Sequence, residues 1–409
     1  MEHPIAIDAG RRNRRNIRLC YVFDVLLNLH FTSAILVPFF TQWAHLSFTQ
    51  MHLIQTWFLL WMFVLEVPTG VVADRFGKKF SVALGALVGA VGLFIYGMIP
   101  NFWLFLLAEF LGALSLTLIS GAYEAMVYDT LAASGTETES KKVFGRSHSF
   151  RMTGILIAAP IGSFIAAHTA LNVPMLVEAF ALVGAMVIAL AISQPKLGDG
   201  HEIEVQNYLD IAKKGLAFLR GHVATRTIAF QMAIVGAAGY FIIWLYQPLL
   251  TTLNVPIEYF GWFNVLLVGV QIVIASNFGL IEKIFPSLQS YIIFNVVIIG
   301  LTFVFAIQSP SILSAITLIT AGGGFALTQE RYISAHVNQW IPSAQRATVL
   351  SFMNMLQKLF IALLNPLVGY SMDHSVKMGL TVVCAFVVLS FLGLLLLRPP
   401  LRGPHGDDP

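Results

Sequence analysis

Asp24, Asn28 and Thr32 stand four residues apart inside an apolar run, and a helix places all three on one face. A carboxylate in lipid is costly. Asp24 is therefore either titratable, coupling the protein to protons or another cation, or a structural acid held by a basic residue from a cytoplasmic helix end. By helix rise it lies roughly 10 Å inside the boundary of its run. Ser351, Asn354, Lys358 and Asn365 form a second stripe, within about 60° of one another, between apolar Ile361 and Ala362. Lys358 lies roughly 16 Å into its run, too deep to snorkel easily. It either lines a cavity and meets an anionic group or closes an interhelical salt bridge. Tyr240, Trp244 and Gln247 share a third face, and Asn264 and Gln271 stand in the next run. Aromatic rings with amides suit an amphipathic organic ligand; the other reading is aromatics at a lipid interface.

No catalytic signature accompanies these groups. There is no nucleophile elbow and no phosphate-binding glycine loop. His30, His148 and His336 are too scattered to hold a metal, and Gly322, Gly323 and Gly324 sit in an apolar run as close helix packing. The expectation is a protein that is not an enzyme, with no catalytic, cofactor or metal site. An ATP-driven pump is disfavoured on the same grounds.

The elements that must position the polar groups are membrane helices. The 409 residues are 57% hydrophobic and only 11% charged, against about 25% charged in soluble domains. Twelve runs approach the length needed to cross hydrocarbon: 17–40, 52–72, 80–98, 102–124, 149–167, 173–193, 227–249, 260–281, 290–307, 312–329, 347–370 and 378–397. The longest polar break, residues 194–226, separates six from six. Within it YLDIAKKGLAFLRG reads as an amphipathic linker helix, with Tyr208, Ile211, Ala212, Gly215 and Leu219 on one face. The expected domains are 1–193, a linker 194–226, and 227–409.

The net charge of +3 is not a nucleic-acid signal, because the basic residues cluster in alternate loops. Arg11, Arg12, Arg14, Arg15 and Arg18 come before or open the first run. Arg75, Lys78 and Lys79, then Lys141, Lys142 and Arg146, then Lys196, Lys213, Lys214, Arg220 and Arg226, then Lys283, Arg331, Arg346, Arg398 and Arg402, keep to the same side. Lys377 is the exception. The positive-inside rule then puts both termini in the cytoplasm. Cys20 and Cys384 lie in apolar runs, which argues against a disulfide framework.

Glu66 to Lys79 reads EVPTGVVADRFGKK, containing G-x-x-x-D-R-x-G-K-K on Gly70, Asp74, Arg75, Gly77, Lys78 and Lys79. It resembles the loop between the second and third helices of the major facilitator superfamily of secondary transporters, whose signature is G-x-L-A-D-R-x-G-R-K. Val72 and Lys78 are the departures. Two further features fit two parallel six-helix halves. GAYEAMVYD and GGFALTQER come before corresponding loops, and Pro160 and Pro366 stand in the fifth and eleventh runs.

The resemblance implies an all-α membrane protein with twelve transmembrane helices in two pseudo-symmetric bundles. It implies alternating access for a small-molecule substrate in the bilayer of the plasma membrane, with protons as partner and a monomer as the unit. It implies charge networks at the inner helix ends, where Glu124, Asp129, Arg146 and Arg151 mirror Glu330, Arg331 and Arg346 around the Asp74 motif. Ordinary helix-end pairing is the plainer role for these residues. The fifth run, GILIAAPIGSF, is only loosely similar to the antiporter motif of the family's drug exporters, with Ala159 and Ser163 in place of glycines. The resemblance also sets the Glu66 face against the eleventh run. Glu66 lies roughly 13 Å inside by helix rise, so a Glu66–Lys358 pair bridging the halves is expected. Proton-coupled efflux is the leading reading; proton-coupled uptake, or a receptor or scaffold on the same fold, are the alternatives.

Overall fold

The computed structural model describes residues 4–133, 135–193, 208–285 and 287–397. Lys196, Arg398 and Arg402 of the basic loops, the linker before Tyr208, and the side chains of Arg11, Arg12 and Tyr208 lie outside what is described. Among the described residues there is no strand. The protein is an all-helical membrane protein.

The order is α1 Pro4–Leu27, α2 Leu36–Pro38 running into a π-helical turn Phe39–Trp43, α3 Phe48–Phe76, α4 Lys78–Met98, α5 Phe102–Ala132, α6 Ser140–His168 and α7 Val173–Ala191. Then come α8 Tyr208–Gly221, α9 Val223–Thr252, α10 Phe260–Ser276, α11 Phe278–Ile284 and α12 Leu288–Gln308. The last are α13 Ile312–Thr317 with a π turn Leu318–Gly323, α14 Gly324–Val337, α15 Ser343–His374 and α16 Val376–Leu397.

Eleven helices among the described residues are long and apolar enough to span a bilayer. The exception is the first predicted run, 17–40. The helix stops at Leu27, and Asn28–Ile35 leaves helical conformation before α2 resumes. The cause is local. Asn28, His30, Thr32 and Ser33 offer the backbone alternatives to its own ladder. The Asn28 amide donates to the Asp24 carbonyl at 2.8 Å, and the Ser33 hydroxyl donates to the His30 carbonyl at 2.9 Å.

Two compact units make up the described chain. One holds the described residues of Met1–His45, Trp57–Val205 and Ile257–Gly261; the other holds those of Leu46–Thr56, Gln206–Pro256 and Trp262–Pro409. In the first unit α4 packs on α5 and α7, and α1 packs on α6 and α7. Glycines make these approaches possible. A methyl group on Gly85 would sit 2.6 Å from Ile119 and 2.9 Å from the Ser115 carbonyl. Gly77, at φ +93°, separates α3 from α4 with a backbone that residues bearing Cβ rarely adopt.

In the second unit α9 is sheathed by α14, α15 and α16. Gly322, Gly323 and Gly324 press on Thr302, Leu267 and Val270, as their apolar setting suggested. The amphipathic α8 buries Ile211, Phe218 and Leu219 and exposes Lys213, Lys214 and Arg220. Its Gly215 meets the ring of Phe352 on α15.

Candidate functional site

Two polar clusters stand out, one in each unit. The first surrounds the break after α1. Asp24 is fully buried, and the Arg151 Nε of α6 donates to it at 2.8 Å. The same guanidinium lies over the Tyr123 ring, 5.5 Å from its centre. Arg151, grouped by sequence with the inner helix ends, therefore belongs to Asp24. Of the two readings open for that acid, the structure shows the arginine partner.

Beyond Asp24 the chain unwinds, and its freed backbone is caught by Glu178 of α7. The Thr32 amide donates to Glu178 Oε2 at 3.1 Å, the Thr32 hydroxyl to the same oxygen at 2.8 Å, and His30 Nδ1 lies 3.0 Å from Oε1. The Glu178 side chain is 9% exposed and that of His30 43%. Glycines of α6 seat the break from the other side. Gly154 lies against the carbonyls of Val25 and Asn28, and Gly162 against the carbonyl of Phe31. Thr32, expected on one helix face with Asp24 and Asn28, thus faces Glu178, and Asn28 turns back onto its own helix.

The second cluster lies in the second unit. His52, one turn into α3, is fully buried with its ring 5.8 Å from Phe241 and 5.9 Å from Trp244. Its Nδ1 is 3.0 Å from Asn365 Oδ1 on α15. Because that oxygen can only accept, Nδ1 carries the proton and Nε2 is a bare acceptor. Neither Nε2 nor Asn365 Nδ2 has a protein partner. Tyr240 stands beside Phe241 and Trp244. Further along α9, the Tyr246 hydroxyl receives the Asn264 amide at 3.4 Å and the Gln247 amide at 3.5 Å. The cluster therefore presents aromatic faces, one unsatisfied acceptor and one unsatisfied donor. The set is buried, His52 and Asn365 fully so; opened to a cavity, it would hold an amphipathic molecule by stacking and two directed hydrogen bonds.

The remaining predicted residues are dispersed. Gln271 satisfies itself on the Leu267 carbonyl at 3.1 Å. Asn354 and Lys358 are half-buried on α15, and Glu66 is exposed on α3. At the motif, Lys78 pairs with Asp129 at 2.5 Å, joining the start of α4 to the end of α5. Asp74, Arg75, Glu124, Arg146, Arg331 and Arg346 are exposed, and Glu330 is half-buried.

A sequence model described as Major Facilitator Superfamily matches residues 19–363. The chain belongs to this family. It is 24% identical over 196 residues to multidrug resistance protein 1 of Bacillus subtilis, covering 48% of the chain and 47% of that protein. It is 29% identical over 130 residues to multidrug resistance protein 2 of the same organism, covering 32% of each. The aligned part thus spans about half or less of these relatives. The fold is similar to that of a mutant form of the nucleoside transporter NupG, with a TM-score of 0.81 at 12% identity over 94% of this chain and all of the other. A D-xylose-proton symporter gives a TM-score of 0.67 at 13% identity, over 95% and 98%.

By family and fold the chain is a transporter, not an enzyme. Two residues of these clusters, Glu178 and His52, escaped the sequence reading. Glu178 is the single acid in the apolar run 173–193, a signal available in principle because an acid in lipid is costly. His52 marked the edge of its predicted run, but α3 begins at Phe48. That places the imidazole a turn inside.

Proposed function

We propose that this major facilitator exports an amphipathic aromatic solute in exchange for protons by alternating access. The observation that carries the reading is the His52, Asn365, Tyr240 and Trp244 cluster, in which His52 Nε2 and Asn365 Nδ2 await a partner. A buried polar atom without a partner costs about 1–3 kcal/mol, which a bound solute would recover. Gln247, Asn264, Gln271, Asn354 and Asn365 extend the polar lining in this proposal. Asn28 and Thr32, tied back into the first unit, do not contribute. The likeness to multidrug resistance proteins supports export. The buried acids of the first unit support proton coupling. The Asp74 motif and the Lys78–Asp129 pair serve as inner-end gating charges. Lys358, half-buried on α15, meets an anionic group of the solute in this proposal, and both termini lie in the cytoplasm of a monomeric plasma-membrane protein.

The test uses everted membrane vesicles and a panel of fluorescent aromatic dyes, with and without an imposed pH gradient. Export predicts dye accumulation inside everted vesicles that collapses with the gradient. Accumulation in right-side-out vesicles instead would establish uptake by symport. No gradient-dependent movement of any dye in either orientation would overturn the reading for this solute class.

A further inference from the structure

We propose that the His30–Glu178 pair at the break in the first helix is a proton-binding site, separate from Asp24–Arg151. Its use in coupling rests on the transport reading; its existence does not. Compensation of charge separates the two acids. Asp24 is matched by a guanidinium that is always charged. Protonating Asp24 would leave Arg151 without its anion. Glu178 is matched by two neutral donors of Thr32 and by an imidazole, the side chain that changes charge between about pH 5 and 8.

Neighbouring ionisable groups are occupied elsewhere. On α6, Arg151 is held by Asp24, and His168 turns back to the Phe164 carbonyl at 2.9 Å. On α5, Glu109 accepts from the Tyr96 hydroxyl of α4 at 2.7 Å, and the Tyr123 hydroxyl donates to the Cys20 carbonyl at 3.0 Å. Glu178 is the one charged residue that α7 contributes. Charge on His30 is therefore answered by Glu178.

The entry step needs no rearrangement. With Nδ1–H donating to Glu178 Oε1, the Nε2 lone pair is left to take the proton. The pair gains one positive charge, no bond breaks, and all three donations to Glu178 persist. Loading also tightens the hold on the break, because Glu178 carries the Thr32 amide that helix unwinding released. Proton occupancy and the geometry of the first helix are thereby linked through one carboxylate.

The purified full chain, with ring-labelled histidine, is titrated by nuclear magnetic resonance in lipid nanodiscs between about pH 5 and 8. His30 is assigned by the signal lost in His30→Gln. The proposal expects the His30 ring to change charge in this range, and Glu178→Gln to alter its proton affinity about tenfold or more. A ring that never titrates, or that titrates identically in Glu178→Gln, overturns it. In proteoliposomes with a fluorescent aromatic dye, Glu178→Gln is expected to abolish gradient-driven movement and to keep exchange at equal pH. Gradient-driven movement at the wild-type level in that variant overturns the coupling role. If His30 titrates with Glu178 but wild-type dye movement ignores the gradient, the proton site stands and the coupled-transport reading falls.

Discussion

The interiors of the two units differ in kind. The buried acids among the described residues, Asp24 and Glu178, are both in the first unit. The buried polar residues of the second are neutral amides, hydroxyls and the imidazole of His52. The first unit pairs its buried acids with charge or directed donors: Arg151 on one oxygen of Asp24, whose other oxygen has no hydrogen-bond partner, and Thr32 and His30 on Glu178. The second leaves His52 Nε2 and Asn365 Nδ2 open. Closed charge networks suit switching, since a buried ion rearranges only when its compensation changes. Open neutral groups beside aromatic rings suit holding a passenger. In the proposed function, this difference divides energy coupling and recognition between the two units.

The largest expected effect breaks the closed side. Arg151→Ala leaves a fully buried Asp24 without its cation, and losing one partner of such a pair costs about 3 kcal/mol or more. Thermal unfolding in detergent and membrane yield should both fall sharply. Adding Asp24→Asn should recover most of the loss, since no charge is then left alone. If Arg151→Ala is as stable as the wild type, Asp24 is not held by that pair.

Next is the seat of the break. Gly162→Ala drives a methyl group into the Phe31 carbonyl, an overpacking of about 1–3 kcal/mol. The unfolding midpoint should drop, and dye transport should weaken at every pH. Unchanged stability would mean that α6 can move off the break freely.

The break also shows where sequence reading stops. Eleven apolar runs became spanning helices because length and hydropathy are local properties. The glycine turn at Gly77 and the α4–α5 hairpin, capped by Asn101 on the amides of Trp103 and Leu104, were equally local. Asn28 and Thr32 were read as a stripe because an unbroken helix was assumed. What holds Thr32 otherwise is Glu178, 146 residues away, and no periodicity reports such a partner. In the second unit Tyr240, Trp244, Gln247, Asn264 and Asn365 were legible as polar groups in apolar runs. The partner of Asn365 and Trp244, His52, arrives from another part of the chain.

A smaller effect sharpens the comparison on the open side. Asn365→Ala removes the acceptor that fixes the His52 tautomer and one donor offered to a solute. The half-saturating dye concentration should rise about tenfold, equivalent to about 1.4 kcal/mol. The pH dependence of transport should stay as in the wild type. That outcome is the mirror of Glu178→Gln, which should lose the gradient response and keep exchange. If Asn365→Ala also loses the gradient response, recognition and coupling are not divided between the units.

The smallest expected effect concerns Asp373, an exposed acid at the end of α15 that the sequence reading passed over. Its carboxylate receives the Phe48 amide at 2.6 Å, the Thr49 amide at 3.1 Å and the Thr49 hydroxyl at 2.5 Å. These amides are the unsatisfied donors at the start of α3, and a negative charge there also meets the favourable end of the helix dipole. Four residues on from Phe48 is His52. Asp373 therefore fixes where the turn carrying the imidazole begins, while the ring's own Nδ1 is held by Asn365. Removal of a capping side chain costs about 1 kcal/mol. Asp373→Ala should lower the unfolding midpoint slightly and raise the half-saturating dye concentration by less than Asn365→Ala does. Asp373→Asn keeps one accepting oxygen and should fall between Asp373→Ala and the wild type. If Asp373→Ala changes transport more than Asn365→Ala, the carboxylate does more than seat α3, and the recognition site reaches the end of α15.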